Sequence, residues 1–269
     1  MLVIGENINA TNKVIAAAIA SRDKDYLVNL AKAQADAGAD FIDVNVGSGQ
    51  GSKEDEKKAI EWLVDIVQEA TDKPLTIDSD SPEVIEAALK KYKGDKLIIN
   101  SVSAEIARLE SVGRLAAENK ASVIALAMGE AGIPQTAEER VAACETIMDY
   151  LTGLGMEPQQ IYFDPLVIPI SVDQSQGLVT LKTIEQIKAR YPDAKTAMGL
   201  SNISFGLPGR KMVNRTFLVM AAYAGLDAVI VNPLDARAMG MVKAAHMLIG
   251  KDTGCRGYLR AHRKGMVID

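Results

Sequence analysis

The chain has 269 residues, 48% of them hydrophobic and 24% charged, with a net charge of −5; that length can bury a full core, as one large domain or two small ones. With 30 Lys and Arg against 35 Asp and Glu, there is no cationic excess to neutralise phosphates, which argues against a nucleic-acid surface. The two cysteines, Cys144 and Cys255, make neither a metal-ligand spacing nor a disulfide framework, as in a reduced cytosol.

At the start, Leu2-Val-Ile4 meets Gly5-Glu6 at once, too short an apolar run for a signal peptide. The most membrane-like stretch, Phe217 to Leu226, lies between Arg215 and Asp227 and is far short of a span. The expectation is a soluble cytoplasmic protein.

Short β-rich runs that end on a polar residue occur in order at Leu2-Glu6, Phe41-Asn45, Leu75-Asp78, Leu97-Asn100, Ser122-Met128, Ile161-Asp164, Lys195-Asn202 and Ala228-Asn232. Each precedes a stretch of helical periodicity, and about 34 residues per unit is near the ~30 of a strand-helix repeat. The first unit holds two helical pieces, Asn12-Ser21 and Asp23-Ala37. Ser52-Lys-Glu-Asp55 and Thr136-Ala-Glu-Glu139 resemble capping boxes. Ser81-Pro82 sets an N-cap before a proline at the first helical position, and Gly153 and Gly155 stop the helix begun near Thr136. The helix after the seventh strand is predicted from Met212 to Leu226. Alternating β and α elements imply a parallel sheet, and eight strand signals favour one closed (β/α)8 TIM barrel over 1–269, with 250–269 as a C-terminal tail. An open doubly wound sheet is the alternative.

In such a barrel the strand ends converge on one mouth. They carry Glu6, Asn7 and Asn9; Asp43 and Asn45; Asp78; Asn100; Asp164; Ser201 and Asn202; and Asn232. Neither His246 nor His262 sits at a strand end, and no lysine ends a strand, which argues against a His-based zinc site, a Ser-His-Asp triad and a Schiff base. Carboxylates and carboxamides suit a neutral heterocycle with adjacent N–H groups: an ionised Asp accepts two parallel hydrogen bonds from an amino-pyrimidinone edge, as in a pterin. For any single Asp or Asn the competing reading is a residue that caps the next helix or shapes a turn.

Two other signals are discounted. Gly47-Ser-Gly-Gln-Gly51 has the wrong spacing for a dinucleotide loop, and the helix after it opens with three acids that would repel a pyrophosphate. The basic tail residues Arg256, Arg260, His262, Arg263 and Lys264 read as a solvated end.

Ile4-Gly-Glu-Asn-Ile-Asn9, Asp43-Val-Asn-Val-Gly47, Ile77-Asp-Ser79, Ile99-Asn-Ser101, Asp164-Pro-Leu166, Gly199-Leu-Ser-Asn202 and Val213-Asn-Arg-Thr-Phe217 run in order over nearly the whole chain. Together they resemble the methyltetrahydrofolate:corrinoid protein methyltransferases. These share a pterin-binding TIM barrel with dihydropteroate synthase and with the folate domain of cobalamin-dependent methionine synthase. The resemblance implies methyl transfer between N5 of tetrahydrofolate and the cobalt of a corrinoid (cobalamin) brought by a partner protein, since the chain has no Asp-x-His-x-x-Gly motif. It also implies a homodimer that binds no metal of its own.

By that resemblance Asp78, Asn100 and Asp164 hold the pterin, and Asn202 approaches N5 within a network that includes Asp78 and Asp164. Gly199, Ser201 and Arg210 line the same pocket, and Glu6, Asp43, Asn45 and Met128 join them at other strand ends. Phe205 stands where relatives can carry a polar residue. Two alternatives remain: a dihydropteroate synthase-like condensing enzyme, whose family carries Ser-Arg-Lys where this chain reads Ser201-Asn202-Ile203, and a non-catalytic folate-binding subunit.

Overall fold

The computed structural model describes residues 1–49 and 51–267; Gln50, within the glycine loop discounted above, and Ile268 and Asp269, at the end of the expected tail, lie outside them. Eight parallel strands close into a barrel in sequence order: β1 (Leu2–Asn9), β2 (Phe41–Asn45), β3 (Leu75–Asp78), β4 (Leu97–Val102), β5 (Ser122–Leu126), β6 (Ile161–Asp164), β7 (Lys195–Gly199) and β8 (Ala228–Val231). The outer ring holds α1 (Lys13–Ala20), α2 (Lys24–Asp36), α3 (Lys53–Ala70), α4 (Pro82–Lys91), α5 (Ile106–Arg108) with α6 (Arg114–Glu118) across a π turn, α7 (Ala137–Gly153), α8 (Gln176–Arg190), α9 (Arg210–Ala224) and α10 (Ala236–Leu248). A short α11 (Arg256–Arg263) packs on α10.

Local chemistry accounts for the boundaries. Asn12 and Asp23 cap α1 and α2 through their side chains. Ser52 with Asp55, and Thr136 with Glu139, form complete capping boxes at α3 and α7. Ser81 precedes Pro82 as expected, but its hydroxyl donates to the Glu83 carboxylate at 2.6 Å and caps no backbone N–H.

Five strand ends and one helix start differ from the sequence reading: β4 runs on to Val102, while β5 and β8 stop at Leu126 and Val231, short of Met128 and Asn232. β1 runs on to Asn9 past an irregularity between Gly5 and Ile8, where one extra residue is accommodated against β2, as a bulge does. β7 stops at Gly199, and Asn202 sits on the 3-10 turn Leu200–Ser204. α9 begins at Arg210, two residues before the predicted Met212.

Inside the barrel Ile4, Ile98, Ile124, Tyr162, Ala197 and Ala228 pack into a closed plug. Lys195 at the start of β7 reaches the Tyr162 hydroxyl at 3.0 Å. The larger apolar layer lies between the outer faces of the strands and the helices, as with Ile42, Leu63, Val67, Leu75 and Ile85.

Candidate active site at the barrel mouth

Parity along the strands decides which side chains reach the mouth. Residues two apart on a strand share a face. One step of two from the plug towards the carboxyl ends therefore leads to Glu6, Asn100, Leu126, Asp164, Gly199 and Ile230. Asp43, Thr76 and Ile98 lie in register across three strands, so Asp43 faces inward with Ile98, and Asn45 and Asp78 follow two residues on.

On one side of the mouth these groups are bonded together. Asn45 Nδ2 donates to Asp78 Oδ2 at 2.8 Å, while the Gly47 N–H donates to Asn45 Oδ1 at 2.7 Å. Asn100 hydrogen-bonds the buried Asp43, whose Oδ1 has no partner. A depression of about 280 Å³ beside them is lined by Asp78, Ser101, Arg108 and Met128, among others. Arg108, which the sequence reading missed, fixes its rim by donating to the carbonyls of Asp80 and Ser101.

Asp164 closes β6, and its Oδ1 accepts the Leu166 N–H at 2.8 Å. This turn is held from below by Arg140, fully buried, whose Nη1 donates to the carbonyls of Pro165 and Leu166, both at 2.9 Å, and whose Nη2 donates to Gln176 Oε1 at 2.6 Å. Arg140 is not singled out by the sequence reading. A signal was present all the same: it shares a helical face with Cys144, Ile147 and Leu151, all buried.

Burial dominates the electrostatics. It pushes Glu6 up to about 7 against the pull of the Arg210 guanidinium and the Asn232 N–H. It pushes Asp164 up to about 6 against the Leu166 N–H and Arg140. Asp43 is raised well above the usual carboxylate range by burial and then by the nearby Asp78 and Glu6. Asp78 is raised by burial, partly offset by the Asn45 hydrogen bond. A mouth so arranged holds protons close to neutral pH and also offers acceptor oxygens to a ligand.

The other side of the mouth is a cavity of about 480 Å³ whose lining includes Glu6, Ser201, Arg210, Lys211, Asn214 and Arg215. Arg210 donates from Nε to Ser204 Oγ at 3.1 Å and from Nη2 to the Ser201 carbonyl at 2.8 Å. Asn202 is exposed, with Nδ2 3.9 Å from the position a Cβ would take on Gly199. Two predicted groups are engaged elsewhere: Asn9 accepts from Thr11, and Asn232 Oδ1 accepts the Leu234 N–H, so both shape turns. Cations do reach this mouth, from α9 on this side and from α5 at Arg108 on the other, and not from a strand end.

The model of the pterin binding enzyme family matches residues 5–232. The chain belongs to that family. It is 36% identical over 269 residues to the methylcorrinoid:tetrahydrofolate methyltransferase of Eubacterium limosum, covering 99% of this chain and 98% of that one. It is 33% identical over 246 residues to the methionine synthase of Mycobacterium tuberculosis, a match that takes in 86% of this chain and 20% of the longer protein. The family barrel is seen again in the 7,8-dihydropteroate synthase structure from Vibrio fischeri ES114, at a TM-score of 0.71 and 18% identity over 92% of this chain and 93% of that one; at that identity the likeness concerns the fold alone.

Proposed function

We propose that this chain is a methyltransferase that moves a methyl group between N5 of tetrahydrofolate and the cobalt of a corrinoid carried on a separate protein. The observation that carries the reading is a set of uncommitted acceptors beside the inner plug. Asp78 uses Oδ2 on Asn45, Asp164 uses Oδ1 on Leu166, and Asp43 Oδ1 is buried without a partner. A buried acceptor left unpaired costs about 1–3 kcal/mol, and the adjacent N–H groups of a pterin's amino-pyrimidinone edge would remove that cost. The fit is therefore one of chemistry as well as ancestry: the Eubacterium limosum relative is named for this same exchange.

In this reading Asp78, Asn100 and Asp164 bind and orient the pterin, and Asn202 stands at the N5 end. Gly199, Ser201 and Arg210 form the wall beside it. The corrinoid supplies the metal centre that takes or gives the methyl group. This chain manages a proton: N5 loses one when it gains a methyl group and regains one when it gives the methyl group up. Donors preorganised at N5 stabilise that charge change more in the transition state than in the ground state. Glu6 and Asp164, raised to about 7 and about 6, are suited to hold the proton near neutrality.

Three further parts of the reading have separate support. The corrinoid protein docks over the mouth, where the candidate residues are gathered. A homodimer forms through the apolar face between α8 and α9, where Leu178 and Met212 are exposed beside Phe217. The protein works in the cytoplasm; among the described residues no helix is long and apolar enough to cross a membrane.

The test is to mix the purified chain with 5-methyltetrahydrofolate and a reduced corrinoid protein and follow the corrinoid spectrum. Methylation of the corrinoid with stoichiometric loss of methyltetrahydrofolate is expected. Tight folate binding with an unchanged spectrum overturns the transferase in favour of a folate-holding subunit.

A further inference from the structure

Asp78 and Asn100 stand side by side, in register, at the ends of β3 and β4, with both side chains facing the mouth. The strand ladder that supports them runs out at once. Its last bond is from the Ser79 N–H to the Asn100 carbonyl, at 3.0 Å. Beyond that point β3 has ended and the chain turns through Ser79, Asp80 and Ser81 into α4, while β4 takes up one extra residue against β5 between Asn100 and Val102. Strand ends without ladder partners fray, yet a bicyclic ligand held by both residues needs them at a fixed separation.

One guanidinium takes the place of the missing ladder. Arg108 donates from Nη1 to the Asp80 carbonyl at 2.5 Å, and from Nη2 to the Ser101 carbonyl and, more weakly at 3.5 Å, to the Ser79 carbonyl. Ser79 and Ser101 directly follow Asp78 and Asn100, so a single nitrogen ties the backbone of one to the backbone of the other. A guanidinium does this as a rigid planar fork, which an ammonium group cannot imitate. All three acceptors are backbone carbonyls, and Arg108 forms no salt bridge among the described residues. Its charge serves backbone placement.

The helix that carries Arg108 aims it there. α5 ends at Arg108, and the π turn Leu109–Gly113 follows directly. A π turn accommodates one extra residue in a helix. Leu109 and Val112 within it are buried in the core, while Arg108 is directed back over the strand ends.

We propose that Arg108 is a positioning residue for the pterin: it sets the separation of Asp78 and Asn100 by tying together the backbone segments that follow them. The inference rests on the folate reading above and gives Arg108 no contact with the ligand. Its contribution to affinity passes through Asp78 and Asn100 and shrinks when either is removed.

The experiment is equilibrium titration with 6-methyltetrahydropterin, a tail-free pterin, so that only contacts to the bicycle are read. The proteins are the wild type, Arg108→Lys, Arg108→Ala, Asp78→Ala and the double variant that combines the last two, each checked by urea unfolding to be folded under the titration conditions. Arg108→Ala should weaken pterin binding about tenfold, as for a binding group that is misplaced. Arg108→Lys should fall between, because an ammonium group reaches one carbonyl and does not fork. In the Asp78→Ala background the Arg108→Ala change should cost no more than about threefold, since residues that act through one another are not additive. A role in stability alone shifts the urea midpoint and leaves the affinity of the folded variants at the wild-type value. That result, or an Arg108→Ala loss as large without Asp78 as with it, overturns the positioning role and leaves the folate reading standing. A wild type that does not bind the pterin overturns the folate reading and the positioning role with it.

Discussion

Asn45 and Asp78 form a directed pair across neighbouring strands: the Gly47 N–H fixes which end of the Asn45 amide faces Asp78, and Nδ2 then donates to Oδ2 at 2.8 Å. Asp78 is thereby turned so that Oδ1 stays available. Asp78→Ala should weaken pterin binding by ~2–3 kcal/mol, because ligand donors lose a charged acceptor. Asn45→Ala should weaken it by about 1 kcal/mol through loss of aim alone. Equilibrium titration with the tail-free pterin checks both, and equal losses would mean that Asn45 contacts the ligand itself.

Asn202 makes no side-chain hydrogen bond among the described residues and stands on a turn rather than a strand. Asn202→Ala should slow methyl transfer by ~3 kcal/mol, roughly a hundredfold, with little change in folate affinity. Single-turnover kinetics separates the two quantities; unchanged turnover would falsify the N5 assignment.

Arg140 supports Asp164 without reaching the mouth. Arg140→Met leaves the Pro165 and Leu166 carbonyls short of a buried donor and should cost about 3 kcal/mol of stability, read from urea unfolding. It should also weaken pterin affinity, because the turn whose N–H orients Asp164 is released. Full affinity in the folded variant would separate Arg140 from the site.

The pH dependence of stability follows from Glu6. Its carboxyl titrates at about 7 in the folded chain against an ordinary 4.5, so the folded state holds a proton that the unfolded state gives up. That contribution is complete below about pH 4.5 and is lost as pH rises through about 7, amounting to about 3 kcal/mol. Glu6→Gln should lessen the fall of the unfolding free energy over this window, leaving the part that Asp164 and Asp43, raised by burial in the same direction, contribute. A wild-type curve already flat there would contradict the burial of Glu6. Binding should run the opposite way: Asp164, at about 6, must ionise to accept two N–H groups, so pterin affinity should rise from pH 5 to 7 and cease to do so in Asp164→Asn.

Gly5 is required for space. A Cβ there would lie 2.5 Å from Gln34 Oε1, the atom that accepts the Asn7 N–H. Gly5→Ala should destabilise the fold by about 1–3 kcal/mol by overpacking and disturb Glu6 beside it. Thermal unfolding measures the first effect, and loss of the pH-dependent component the second.

Much of this architecture was legible in the sequence because each strand is a short apolar run with a polar stop, a pattern set by the strand itself. The mouth acids could be found for the same reason: Asp43, Asp78 and Asp164 interrupt runs that are otherwise buried. Asn9 and Asn232 have the same local pattern but are drawn into turns by the residues that follow them, which strand ends alone do not reveal. Arg140 and Gln34 escaped because a buried polar residue depends on acceptors distant in sequence. Of the cations on the α9 side of the mouth, Arg210 was named only through the family resemblance, and Lys211 and Arg215 escaped, because they belong to a helix start that only the fold brings back over the mouth.

The plug of Ile4, Ile98, Ile124, Tyr162, Ala197 and Ala228 makes the barrel a blind cup with a single doorway. A protein carrier seated on that doorway bars the exchange of whatever lies beneath it. Under the proposed chemistry, folate must enter before the carrier arrives and leave after it departs, so turnover is paced by docking and undocking as well as by the methyl step.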